Sequence, residues 1–78
     1  MPDLKYRELV NLLLYFGTDL RGEGSPKLKV RNREGNWVSV DCHKTEGCWS
    51  EKLGPTLRNL GVSREEFWEW WNAGRKRN

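Results

Sequence analysis

A chain of 78 residues with a net charge of +3 has room for one domain around a small core. Its longest apolar run, Leu12 to Phe16, is far too short to cross a bilayer, and no secretory pattern is visible, so a cytoplasmic protein with no membrane partner is expected. Two cysteines are too few for a disulfide framework, and the core must draw instead on five tryptophans, two tyrosines and two phenylalanines.

Residues 3–16 predict a helix, with Asp3 as the cap whose carboxylate accepts from free amides of the first turn. Tyr6, Leu9, Val10, Leu13 and Phe16 recur at helical spacing and form one apolar face. Gly17 is the expected terminator, through the left-handed conformation that closes helices. Thr18 to Arg21 fits a short edge strand. Gly22 and Gly24 then interrupt the chain.

Two alternating runs follow. In Lys27 to Asn32, Leu28 and Val30 point one way and Lys27, Lys29 and Arg31 the other. In Trp37 to Cys42, Val38, Val40 and Cys42 oppose Trp37, Ser39 and Asp41. Arg33 to Asn36 between them is a compact turn with a glycine where positive φ is needed. The pattern is a β-hairpin with one apolar face and one basic face.

Residues 43–52 read as a loop containing Gly47 and Trp49. Pro55 to Leu60 reads as a short helix with proline in its first turn, ended by Gly61. Ser63 and Glu66 form a capping box that opens a last helix, Arg64 to about Asn72. Phe67, Trp70 and Trp71 share its inner face, and Trp68 falls outside it. Gly74 stops the helix. The expected organisation is one domain over residues 1–74 and a basic tail over 75–78. The expected fold class is α+β, in the order α-β-β-β-α-α.

The charge is uneven. Arg21, Lys27, Lys29, Arg31 and Arg33 stand against one carboxylate, Glu23, in the central segment, and Arg75, Lys76 and Arg77 follow at the end. Such concentration suggests a polyanion partner. Lys27, Lys29, Arg31 and Arg33 neutralise phosphates in this reading, and Trp37 on the same face stacks on an unpaired base or a ribose. The bland alternative has Trp37 covering the aliphatic stems of those cations.

His43 is the only histidine and a candidate catalytic group, because imidazole serves as base and acid near neutral pH. Lys27 is the companion cation for phosphate. The alternative is a surface or capping histidine. Cys42, His43 and Cys48 give at most three zinc ligands where a structural site normally uses four, so no metal is expected. Cys42 lies in the apolar register and reads as a buried thiol, and a reducing compartment disfavours a Cys42–Cys48 disulfide. No cofactor motif is present. Trp68, if exposed, marks a protein interface.

Four stretches together resemble one known family. They are "YRELVNLLLYFG", "LRGEGSPKLKVRN", "VSVDCH" and "KLGPTLRNLGVSREEFWEW", and they span roughly residues 4–70. In order and spacing they resemble the HicA toxins, small messenger-RNA interferases, with Arg21, Gly24 and Ser25 in the family's Arg-x-x-Gly-Ser turn. The resemblance implies a fold similar to the double-stranded-RNA-binding domain: a three-stranded antiparallel sheet with helices on one face. It also implies endoribonuclease (hydrolase) activity, RNA as substrate and a HicB-type antitoxin as partner. The family places its proposed catalytic histidine directly after the Gly-Ser pair. Pro26 stands there and has no titratable group, whereas the later histidine position is matched by His43. The expectation is therefore an RNA-binding member of a toxin–antitoxin pair, or a catalytically impaired relative. The alternative is a non-catalytic interaction module on the same fold, with Trp68 as a contact residue.

Overall fold

The computed structural model describes residues 1–48 and 50–77; Trp49, expected in a loop, lies outside the described residues. The elements are α1 (Tyr6–Phe16), β1 (Thr18–Arg21), β2 (Lys27–Arg31), β3 (Trp37–Asp41), α2 (Ser50–Leu60) and α3 (Arg64–Asn72). The strands form one antiparallel sheet in the order β1-β2-β3, giving the α+β architecture α-β-β-β-α-α.

The hairpin register follows the alternation. Leu28 pairs with Val40 and Val30 with Val38, and all four are buried against the helices. Asn32 organises the turn: its side-chain carbonyl accepts from Glu34 N at 2.9 Å and Asn36 N at 3.0 Å. Such Asx bonding is why asparagine opens tight turns.

α1 begins at Tyr6 rather than at Asp3. Glu8 caps it by accepting from the Lys5 N–H at 2.9 Å. Asp3 instead accepts from Ser50 N at 2.7 Å and caps α2, 47 positions away along the chain. Leu4 makes this possible by pairing with Cys48 in both directions, N–H to carbonyl, at 2.8 and 2.7 Å. Residues just before α1 are thus extended backbone clamped to the turn before α2.

The buried side of α1 comprises Leu9, Val10, Leu12 and Leu13, with Tyr6 and Phe16 only partly covered. Leu12 lies outside the expected stripe. Its burial reflects cover on a second side, where Phe16 approaches Trp70 of α3 and Asn11 binds the carbonyl of Arg75.

Gly17 does not take the left-handed conformation; its φ is −125°. It is needed for space. A Cβ there would lie 2.6 Å from Val30 Cγ2 and 2.8 Å from the Arg31 carbonyl oxygen. The helix passes directly onto β2 at this point, too close for any side chain.

α2 starts at Ser50, so Pro55 sits more than a turn inside it rather than in its first turn. The Asp3 cap and the Leu4–Cys48 pairing stabilise the extra N-terminal turn, which local sequence signals do not reveal. α3 opens as expected: Ser63 Oγ accepts from Glu66 N at 3.1 Å, and Glu66 accepts from Ser63 N at 3.1 Å. Phe67 and Trp70 are buried and Trp71 packs against the same core.

Candidate nucleic-acid interface

The outer face of the sheet carries the side chains that the hairpin pattern assigned to it. Arg31 pairs with Trp37, Lys29 with Ser39 and Lys27 with Asp41. Lys27, Lys29 and Trp37 are exposed, Trp37 at 46%, and Arg31 is half-buried.

β1 adds a residue that the pattern did not place. Asp19 takes a left-handed φ of 55°, and the β1–β2 register shifts between Thr18 and Arg21. This bulge turns Arg21 to the outer face, opposite Lys29. A four-residue strand containing a bulge has no readable alternation, so only the position of the arginine within the basic segment hinted at its role. Arg21, Lys29, Trp37 and Ser39 line a shallow hollow of about 310 Å³.

Electrostatics on this face are unbalanced by design of the register. Like charges placed directly opposite each other across strands repel, and Arg21–Lys29 is such a pair. Two carboxylates temper the field. Asp41 stands opposite Lys27, and Asp19 Oδ2 lies 3.3 Å from Arg31 Nε, an ion pair whose angle is off line for a hydrogen bond. The Arg31 guanidinium also lies over the Trp37 ring at 4.7 Å. Trp37 therefore does cover a cationic side chain, while nearly half of its surface stays open.

Arg33, expected on this grip, is committed elsewhere. Its guanidinium donates to the Gly61 carbonyl at 2.9 Å and to Glu66 Oε1 at 3.1 Å, with a second contact from Nη2 to Glu66 Oε2. It ties the hairpin turn to the start of α3. Those hydrogen bonds, with that from Ser63, hold the Glu66 carboxyl at about 2 and raise the Arg33 pKa. Arg33 is a clamp because the turn brings it over the α2–α3 junction, which strand alternation cannot foresee.

His43 follows β3 and is exposed. Its carbonyl accepts from Glu46 N at 3.1 Å and Gly47 N at 2.9 Å, closing a tight turn. Cys42 N donates to the Pro26 carbonyl at 2.7 Å, so Pro26 and His43 lie at the same end of the sheet as Lys27. Among the described residues no carboxylate or hydroxyl hydrogen-bonds the imidazole. Cys42 and Cys48 are buried thiols. Burial pushes the Cys42 pKa up, and burial together with Cys42 pushes Cys48 to about 11. Among the described residues no group of three or more His, Cys, Asp or Glu side chains is placed to hold a metal ion.

Trp68 is 40% exposed on the outer side of α3, edge-on to Phe67 at 5.2 Å and Trp71 at 6.3 Å. Comparison of the chain with protein-family models, with curated proteins and with solved structures finds no match.

Proposed function

We propose that this chain binds RNA through the outer face of its sheet, as a HicA-like toxin of a toxin–antitoxin pair or a catalytically impaired relative. The observation that carries the reading is the like-charged pair Arg21–Lys29 beside the exposed Trp37. Self-repulsion between cations is relieved when a phosphate enters, and the indole offers a stacking surface beside it. Lys27 and Arg31 extend the basic surface along β2. In this reading a HicB-type antitoxin covers the same face or the Trp68 side of α3, and the protein works in the cytoplasm. No helix among the described residues is long and apolar enough to cross a membrane.

The test is RNA binding as a function of salt. Each phosphate neutralised on a single strand contributes about 0.7 to the log–log slope, so Lys27→Ala, Lys29→Ala and Arg31→Ala together should flatten it by about 2. Unchanged affinity and slope in the triple variant would mean that the hairpin is not the grip. A second reading, a protein-interaction module, rests on the exposure of Trp68. It predicts that Trp68→Ala abolishes partner binding that is nearly insensitive to salt.

A further inference from the structure

A cleft of about 530 Å³ opens where four parts of the chain meet, and it shares no lining residue with the hollow on the sheet. The first turns of α1 supply Arg7 and Asn11, the β1–β2 loop Glu23 and Gly24, the turn after β3 Lys44, and the C-terminal segment Arg77. Its size lies within the range of small-molecule sites, and three cations face it against one carboxylate.

The loop and the C-terminal segment that line the cleft are held in place by specific bonds. The Tyr6 hydroxyl accepts from Gly24 N at 2.9 Å and donates to the Ser25 carbonyl at 2.7 Å, tying the loop to α1. Lys44 reaches over that loop: a Cβ on Gly24 would stand 3.8 Å from Lys44 Nζ. The chain leaves α3 with positive φ at Gly74 and again at Arg75, where φ is 57°. A non-glycine residue keeps that conformation only when its surroundings enforce it. Here Arg75 N donates to the Trp70 carbonyl at 3.1 Å, Asn11 Nδ2 to the Arg75 carbonyl at 3.1 Å, and Trp70 Nε1 to the Lys76 carbonyl at 2.9 Å. The Arg75 guanidinium sits 3.8 Å over the Trp71 ring and 3.2 Å from Glu8. The result is that Arg77 returns to the β1–β2 loop, 3.9 Å from Glu23. An exposed ion pair at that separation contributes too little to account for the fold-back.

We propose that this cleft binds a phosphomonoester, either the phosphorylated end of a nucleic-acid strand or a free mononucleotide, through Arg7, Lys44 and Arg77. A phosphomonoester is close to doubly charged at neutral pH and presents three acceptor oxygens, which matches three cations better than a singly charged phosphodiester or carboxylate does. Glu23 pairs with Arg77 and competes with the ligand for it. The site is independent of the sheet face.

The experiment is a ¹H–¹⁵N NMR titration of the full chain with uridine 5′-monophosphate, inorganic phosphate and uridine. Both phosphates should shift the amides of Gly24, Ser25 and Lys44, and uridine should not. Lys44→Gln and Arg77→Gln should each weaken binding about tenfold, the scale of a charge-assisted hydrogen bond. Glu23→Gln should strengthen it about fivefold, the scale of one exposed charge contact. Lys29→Gln should leave it unchanged. All four side chains are exposed, so the variants should keep the wild-type spectrum elsewhere. A 5′-phosphorylated oligoribonucleotide that binds more tightly than its 5′-hydroxyl twin assigns the site to strand ends, and equal binding assigns it to free nucleotides. Shifts centred on Lys29 and Trp37, equal effects of uridine and its phosphate, or weaker binding by Glu23→Gln would overturn the proposal. The Lys27, Lys29 and Arg31 triple variant should still bind phosphate, so failure here and failure of the sheet-face grip are separable.

Discussion

At the residue scale, Pro26 decides how much chemistry the RNA reading can include. Its side chain is exposed, and its carbonyl is the acceptor for Cys42 N. A histidine there would keep that bond and add an imidazole at the same end of the sheet as His43. General acid–base assistance is typically worth about 10²–10⁴-fold, so a site with one imidazole should be slow or silent. Metal-free cleavage of single- and double-stranded RNA should therefore be weak or absent in the wild type. Pro26→His should raise it by about 10²-fold if the neighbouring groups form a working site. Rapid wild-type cleavage that survives His43→Ala would show that the chemistry resides elsewhere.

At the scale of elements, the joint between the hairpin turn and α3 depends on one ion pair. The Glu66 carboxyl, ordinarily near 4.5, is held at about 2 by Arg33 and by the Ser63 amide. A carboxyl whose pKa is lower in the folded state stabilises that state above its unfolded pKa. That contribution fades as pH falls from about 4.5 toward 2. The melting temperature of the wild type should exceed that of Arg33→Gln by a constant margin above about pH 5.5, roughly one unit clear of the unfolded carboxyl. The margin should shrink on acidification through that window. It should be modest, because both partners are partly exposed to water. A margin that stays the same down to pH 2 would show that the clamp acts through the Gly61 carbonyl rather than through Glu66.

For the molecule as a whole, the C-terminal segment is part of the body rather than a loose basic arm. The radius of gyration is 11.1 Å, where a compact chain of this length is expected near about 11.5 Å, so nothing substantial extends outward. Arg75 and Lys76 satisfy Asn11 and the half-buried indole nitrogen of Trp70. Deleting residues 75–78 leaves that donor without its acceptor and removes the cover on Trp71. Losing one such bond costs about 1 kcal/mol or more, so thermal unfolding should shift down by about 5–10 °C in a domain of this size. An unchanged transition would mean that the tail only rests on the surface.

Local patterns determined β2 and β3, the α3 cap, the inward register of Leu28, Val30, Val38 and Val40, and the outward placement of Trp37 and Trp68. Each depends on neighbours a few positions away, and side-chain direction along a strand or helix is fixed by backbone geometry. Tertiary structure decided what depends on distant partners. Asp3 reads as a cap for the helix that follows it, yet the Leu4–Cys48 pairing delivers it to α2. Gly17 reads as a left-handed stop, yet its role is to let α1 touch β2. Arg33 reads as part of the basic stripe until the turn carries it to Glu66, and Arg21 joins the stripe only through the bulge at Asp19. The cleft of Arg7, Lys44 and Arg77 has no sequence signature, because its cations come from three separate parts of the chain and meet only when the C-terminal segment folds back.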